Sequence, residues 1–101
     1  MAKIRLARSY TAMPAKSTEV LAIAREVAAV IKRVADVDVT IFATMGSQVN
    51  EFVSVTNYSS FAEFEEKGNK ILGNPEYQAV IRKYEGLLVP GSIHDRLLRE
   101  V

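Results

Sequence analysis

Apolar residues along this chain recur with the periods of strands and helices, in the order β-α-β-β-α-β. Residues 3–10 alternate as a strand does, and residues 17–35 carry apolar side chains three or four positions apart, as one face of a helix does. Two further strands are predicted at 37–45 and 49–57, and a last strand at 92–100. This order predicts an α+β fold, a four-stranded antiparallel sheet with helices on one face.

The second helical region has clear signals at its ends. Ser60 and Glu63 form a capping box, in which the hydroxyl accepts a hydrogen bond from the helix and the carboxylate reaches back. Gly73 is expected to end this helix. Asn74 and Pro75 then begin a new short helix, because asparagine caps well and proline suits the first helical position. Two consecutive helical segments are therefore predicted before the last strand.

The pairing register of the second and third strands decides which of their residues face the helices. A loop of three residues around Gly46 pairs Phe42 with Phe52. A two-residue turn would instead pair Phe52 with Ile41. We prefer a loop of three or five residues with a bulge, because it keeps similar side chains together on both faces. In that register Val53 faces the helices, and the two phenylalanines lie side by side on the opposite face.

The face that carries Phe42 and Phe52 predicts a homodimer. A monomer would leave this apolar patch in water, and contiguous exposed apolar patches usually mark an interface. Two such sheets that stack face to face would bury both patches. The alternative is a solvated face on which two aromatic rings merely pair across strands. We prefer the dimer, because β-branched and aromatic residues crowd both faces of the sheet.

Composition indicates one domain and argues against several kinds of partner. The 101 residues suit a single domain, 1–101. A net charge of +1 with the two signs well mixed predicts no nucleic-acid binding. Apolar stretches are too short for a membrane span, and the first residues follow a strand pattern, unlike a signal peptide. The chain has no cysteine, which suits a cytoplasmic protein.

The most specific stretch runs from Phe-Ala-Glu-Phe-Glu at 61–65 to Gly-Asn-Pro-Glu-Tyr-Gln at 73–78. It resembles the helix restart common in NIPSNAP-like and antibiotic-biosynthesis-monooxygenase-like members of the dimeric α+β barrel superfamily. The resemblance covers essentially the whole chain and implies a ferredoxin-like fold whose chains pair sheet to sheet. The superfamily includes cofactor-independent monooxygenases, haem-degrading enzymes, chlorite dismutase relatives and lactone isomerases. Fold alone therefore does not give the chemistry.

Two departures argue against haem degradation. The haem-degrading members resemble one another in using a histidine on the second helix and a tryptophan beside the haem. This chain has no tryptophan, and its single histidine, His94, falls in the predicted last strand.

No histidine or carboxylate cluster has the spacing of metal ligands. We therefore expect neither a metal nor another cofactor.

The resemblance implies a pocket within each subunit, between the helices and the sheet. Gly68 interrupts the apolar stripe of the second helix, where a glycine costs about 1 kcal/mol relative to alanine. A cavity beneath the helix would explain this glycine. Close packing of helix on sheet would also explain it, and we prefer that interpretation.

Arg8 and Tyr10 continue the inward face of the first strand. A buried arginine needs an anionic partner, which Glu51, Asp95 or a ligand carboxylate or enolate would supply. The outcome we expect most is that the strand end frays and Arg8 extends into water. Histidine often acts as a general base, but His94 stands among polar residues, so an exposed histidine is the better interpretation.

Asn57 and Tyr58 complete the candidate ligand-binding residues, with Arg8, Tyr10 and Gly68. Asn57 continues the face of the third strand that we expect to point inward. Because the first and third strands are neighbours in this topology, polar groups at their ends should converge at one edge of an apolar space. Such a space with a few convergent polar groups is the usual form of a ligand site.

The sequence as a whole predicts a small dimeric α+β barrel protein that binds a compact apolar or aromatic molecule. Two alternatives stay open. The first is a cofactor-independent monooxygenase or isomerase, in which Arg8 would hold an anion. The second is a structural module without a pocket, whose dimer surface is its whole function. No catalytic residue is identifiable, and a cavity beneath the helices would exclude only the pocketless module.

Overall fold

One antiparallel sheet with helices on one side forms the protein. The computed structural model describes residues 3–46 and 50–101. The strands follow the order β2-β3-β1-β4 across the sheet, which confirms the predicted α+β fold class. The elements in chain order are β1 (Ile4–Thr11), α1 (Ser17–Ala35), β2 (Val39–Ala43), β3 (Glu51–Tyr58), α2 (Phe61–Leu72), α3 (Pro75–Arg82) and β4 (His94–Arg99).

The predicted caps position α2 and α3. The Ser60 hydroxyl accepts a hydrogen bond from the Glu63 amide at 3.1 Å. The Glu63 carboxylate reaches back to accept from the Ser59 amide at 2.9 Å, and this backbone bond lowers the pKa of Glu63. At the next helix, the Asn74 side chain accepts from the Tyr77 amide at 3.0 Å. The start of each helix is thus set by nearby residues, because each capping side chain accepts a hydrogen bond from a first-turn amide that has no partner within the helix.

The β2–β3 register differs from both registers considered above. Phe42 pairs with Val53, and Ala43 pairs with Phe52. Beyond the paired residues, Thr44 donates to the Glu51 carbonyl through its amide at 3.0 Å and its hydroxyl at 3.1 Å. The predicted loop falls partly on residues 47–49, which lie outside the described residues. The preferred register is therefore wrong by one residue, and every side chain of β3 takes the opposite face.

This shift places Phe52 in the core. Its side chain is only 6% exposed, whereas Phe42 is 53% exposed on the other face. The prediction that the two rings lie side by side is therefore wrong. The observed register turns both large aromatic ends of β3 inward: Phe52 packs on Tyr10 with ring centroids 6.1 Å apart, and Tyr58 meets Phe64 edge to face at 5.3 Å. Two aromatic rings bury more apolar area than the valines that were expected inside.

The buried residues form two clusters. One contains Tyr58, Ile71 and Tyr77, and the other contains Tyr10 and Phe52. A small domain usually has one contiguous core, so a division between clusters indicates incomplete filling between the helices and the sheet.

The helical layer does not cover the sheet evenly. Helix α1 packs against β2, and α2 packs against β3. Every residue of the edge strand β4 is exposed. The space beneath the helices is consequently least covered on the β4 side. Within the described ranges, no helix has the length and apolar character needed to cross a bilayer.

Candidate functional site

A cavity of about 480 Å³ lies between the helices and the inner face of the sheet. Its volume falls within the range of small-molecule sites in proteins. Residues of both buried clusters line it, including Tyr58 and Ile71 from one and Tyr10 from the other. The exposed side chains of Leu72 and Ile93 also border it and mark its opening. Further apolar walls come from Leu6, Ala24, Val27, Ile31, Val39 and Phe64.

Gly68 lines the cavity from α2. A Cβ placed on this residue would meet no described atom within 4 Å outside the neighbouring turns of its own helix. Close packing of α2 on the sheet, the explanation preferred from the sequence, is therefore wrong. The missing side chain leaves room beneath the helix, in agreement with the cavity interpretation.

Arg8 and Asp95 form the charged end of the cavity. They are paired residues of β1 and β4, and the guanidinium donates to the carboxylate through Nε at 2.7 Å and a terminal nitrogen at 2.8 Å. These hydrogen bonds raise the pKa of Arg8 and lower that of Asp95. The expectation that Arg8 extends alone into water is wrong. Asp95 supplies its anionic partner, one of the possibilities considered from the sequence.

Tyrosine hydroxyls stand beside this ion pair. Tyr10 and Ser54 share a hydrogen bond of 2.7 Å between their hydroxyl oxygens. The Tyr84 ring packs 5.9 Å from the Tyr10 ring, centroid to centroid. Burial raises the pKa of both phenols, so they stay protonated at neutral pH. This end of the cavity therefore offers neutral hydroxyl groups next to an internally neutralised ion pair.

Four of the five predicted ligand-binding residues line the cavity: Arg8, Tyr10, Tyr58 and Gly68. Asn57 does not. It is exposed on the outer face of β3, where its side-chain oxygen accepts a hydrogen bond from Arg5 Nε at 2.9 Å. The reason is the one-residue difference in register, which exchanges the two faces of the strand.

The predicted convergence of strand ends at one edge is also wrong. Strands β1 and β3 are antiparallel, so Tyr10 pairs with Phe52 near the start of β3, and Tyr58 pairs with Ile4 at the start of β1. The polar end near Tyr10 and the wall at Tyr58 consequently lie at opposite ends of the strand pair. Neighbouring antiparallel strands bring together the end of one and the beginning of the other.

The sequence reasoning missed Ser54 and Thr56 as cavity residues. Both line it from the inner face of β3. Thr56 is 7% exposed, and its hydroxyl is buried without a hydrogen-bond partner among the described residues. The signal was present in the alternation of Phe52, Ser54, Thr56 and Tyr58, in which aromatic residues flank two small polar ones. The register preferred from the sequence turns this face of β3 outward together with Phe52, so it does not assign Ser54 and Thr56 to the cavity.

His94 lies away from the cavity. It is exposed at the start of β4 and pairs with Ser9, one position from the Arg8–Asp95 pair and hence on the outer face. In the part of the chain that the structure describes, no group of three or more histidine or acidic residues is arranged to hold a metal ion.

The strand order, the single sheet and the cavity beneath its helices place the protein among ferredoxin-like α+β folds. The family model described as NIPSNAP matches residues 6–101, so the chain belongs to the NIPSNAP family. A search of curated proteins gives no match.

Solved structures confirm the fold. A NIPSNAP-like domain protein from Burkholderia xenovorans is 21% identical, with a TM-score of 0.80, and the match covers 98% of this chain and 85% of that one. A NIPSNAP family protein from Agrobacterium tumefaciens is 23% identical, with a TM-score of 0.78 and coverage of 95% and 90%. A second protein from that organism, described as a NIPSNAP family protein with unknown function, is 15% identical with a TM-score of 0.81 and coverage of 98% and 88%.

Proposed function

We propose that the protein binds a compact apolar or aromatic small molecule in the cavity between its sheet and helices. The observation that carries this proposal is the space beneath Gly68, which leaves the core in two clusters. Apolar surface that is left unpacked lowers stability, so an apolar cavity of about 480 Å³ in a chain of 101 residues is not expected of a purely structural module. Binding of a ligand would recover contacts that this core lacks.

Binding fits the cavity better than proton abstraction does. The hydrogen bonds from Arg8 lower the pKa of Asp95, which makes its carboxylate a weak base. Burial keeps Tyr10 and Tyr84 protonated, and His94 lies on the other face of the sheet. A monooxygenase or isomerase that starts by deprotonating its substrate would need a stronger base than these groups provide.

A fluorescent dye tests the proposal. N-phenylnaphthylamine is neutral and apolar, and its emission should rise on addition of the protein in proportion to cavity occupancy. The Gly68→Leu variant fills the space and should weaken dye binding about tenfold or more, a loss of about 1.4 kcal/mol. Ala62→Leu adds the same side chain to an exposed position of α2 and serves as the control.

Circular dichroism on both variants separates filling of the cavity from loss of the fold. A folded Gly68→Leu protein that binds the dye as tightly as the Ala62→Leu protein would contradict the proposed site. A wild-type protein that gives no saturable rise in emission would contradict ligand binding itself.

We also propose that the partner is a second copy of this chain, bound through the outer face of the sheet. Phe42 is 53% exposed there and pairs with Val53, and Leu98 is 40% exposed on the same face at β4. With Val53 and Val55, Phe42 forms an apolar surface on β2 and β3 that lacks Phe52, contrary to the sequence prediction. Leu98 lies on the opposite edge strand, where Arg5 and Arg96 separate it from this surface. Contiguous apolar surface of this kind supports self-association.

The lack of cysteine supports a cytoplasmic location.

Sedimentation or light scattering at micromolar concentration tests the homodimer. Phe42→Lys should give a folded monomer, because burying a charge in an apolar interface is costly. Ala62→Lys adds the same charge on the helical side and should leave the dimer intact. A wild-type protein that sediments as an 11.2 kDa monomer would overturn this proposal.

A further inference from the structure

We propose that the ligand of this cavity is uncharged, with an apolar body and a neutral hydrogen-bond acceptor held at the Arg8–Asp95 end. This inference rests on the proposed binding function and specifies its ligand class. It follows from the way the charges of the cavity are arranged, and it excludes the carboxylate or enolate ligand that Arg8 suggested from sequence alone.

The charges in the cavity cancel each other. Among the described residues that line it, Arg8 and Asp95 are the charged ones. Their two hydrogen bonds, at 2.7 and 2.8 Å, form the bidentate arrangement in which arginine and carboxylate pair most strongly. The pair therefore offers a ligand no net charge.

The ion pair is also held in place by the sheet. Arg8 and Asp95 are directly opposed in the β1–β4 ladder, so their backbones stay adjacent and a side chain displaced from the pair remains close to its former partner. An anionic ligand that took Arg8 would stand beside the displaced carboxylate, and a cationic ligand would stand beside the guanidinium. Like charges at close range in a partly desolvated site disfavour both.

Apart from the Asp95 carboxylate, the hydrogen-bonding groups at this end are able to donate to a neutral acceptor. The guanidinium has more N–H groups than the two that Asp95 uses. The phenols of Tyr10 and Tyr84 line the same end and stay protonated, because burial raises the pKa of each, and the Tyr10 hydroxyl shares its hydrogen bond with Ser54. A carbonyl or ether oxygen is the neutral group that suits such donors, and most of the remaining cavity wall is apolar, with the Thr56 hydroxyl as an exception.

Two dyes of the same ring skeleton test the charge preference. N-phenylnaphthylamine is neutral, and anilinonaphthalenesulfonate carries an added sulfonate. We expect the wild-type protein to bind the neutral dye about tenfold or more tightly. Asp95→Asn leaves the charge of Arg8 uncompensated, which favours the anionic dye. The dissociation constant of the anionic dye divided by that of the neutral dye should therefore fall about tenfold. Arg8→Gln should raise that ratio instead.

The outcomes separate this inference from the proposed function. If the anionic dye binds as tightly as the neutral one and Gly68→Leu weakens both, the cavity binds ligands but the charge inference is wrong. If the ratio is the same in Asp95→Asn as in the wild type, shape and not charge sets the preference, which also overturns the inference. If neither dye binds, the proposed function fails and the inference with it.

A second pair of compounds tests the head group. Acetylnaphthalene and ethylnaphthalene have nearly the same shape, but only the first has a carbonyl oxygen. In displacement of the neutral dye, the ketone should bind about fivefold more tightly, as one hydrogen bond contributes about 1 kcal/mol. Equal displacement by the two compounds would overturn the assignment of an acceptor to this end of the cavity.

Discussion

Arg8 and Asp95 are opposed across the β1–β4 ladder and are joined by two hydrogen bonds, at 2.7 and 2.8 Å. The pair links the first strand to the last strand of the chain. It also borders the cavity, so a contact between β1 and the exposed edge strand β4 also determines the charge of the candidate site.

The contribution of this ion pair should depend on pH. The hydrogen bonds from Arg8 hold the pKa of Asp95 below its usual value of 3.8 in the folded protein. A carboxyl group with a lowered folded pKa stabilises the fold above its unfolded pKa, and this contribution is lost as pH falls through the folded pKa. Asp95→Asn should therefore cost about 1 kcal/mol or less at neutral pH, because the pair is partly exposed.

Urea unfolding of the wild type and Asp95→Asn at a series of pH values measures this effect. The difference in unfolding free energy should be constant at neutral pH and shrink towards zero as the solution becomes more acidic than the folded pKa of Asp95. A difference that does not change down to strongly acidic pH would show that the ion pair does not stabilise the fold.

Gly68→Ala should stabilise the protein. The new methyl group meets no described atom within 4 Å outside the adjacent turns, so it introduces no clash. Alanine inside a helix is favoured over glycine by about 1 kcal/mol. Thermal unfolding should show a higher midpoint than the wild type, with dye binding only weakly reduced. A lower midpoint would indicate that the helix packs more tightly there than the structure shows.

Substitution by lysine should have opposite effects on folding at Phe42 in β2 and at Phe52 in β3. Phe52→Lys places a charge in the buried cluster with Tyr10 and should prevent folding. Phe42→Lys changes an exposed position and should leave a cooperative melting transition. Far-ultraviolet circular dichroism distinguishes these results, and equal loss of structure in both variants would contradict the observed register.

Removal of the caps should weaken the helical layer. Ser60→Ala and Asn74→Ala each delete an acceptor that is bonded to a helical amide, at a cost of about 1 kcal/mol. Ser60→Thr keeps a hydroxyl and should retain most of the stability, which makes it the matched control. Chemical unfolding measures all three, and a neutral Ser60→Ala would show that water replaces the cap without loss.

Much of the fold could be predicted because its signals are local. The spacing of apolar residues from Ser17 to Ala35 marks α1 at its observed bounds. The caps at Ser60 and Asn74 depend on side chains within a few residues of the amides they satisfy. Such interactions can be recognised from sequence, since they need no knowledge of distant partners.

The candidate site was only partly predictable. Arg8 and Tyr10 follow from the alternation of β1, which needs no partner strand. The prediction that Asn57 binds the ligand was wrong, because the face on which Asn57 lies depends on how β3 pairs with its neighbours. The open space at Gly68 could not be distinguished from close packing, because both explanations predict a glycine at this position.

The sequence by itself determined the order of elements, the helix ends and the inward face of β1, because each depends on residues near one another in the chain. Tertiary structure alone decided that Phe52 lies inside and Phe42 outside, and that Asp95 meets Arg8. These outcomes depend on strand register, in which a shift of one residue exchanges the faces of an entire strand. The register is set by the total area buried across the sheet, where the aromatic ends of β3 outweigh its valines.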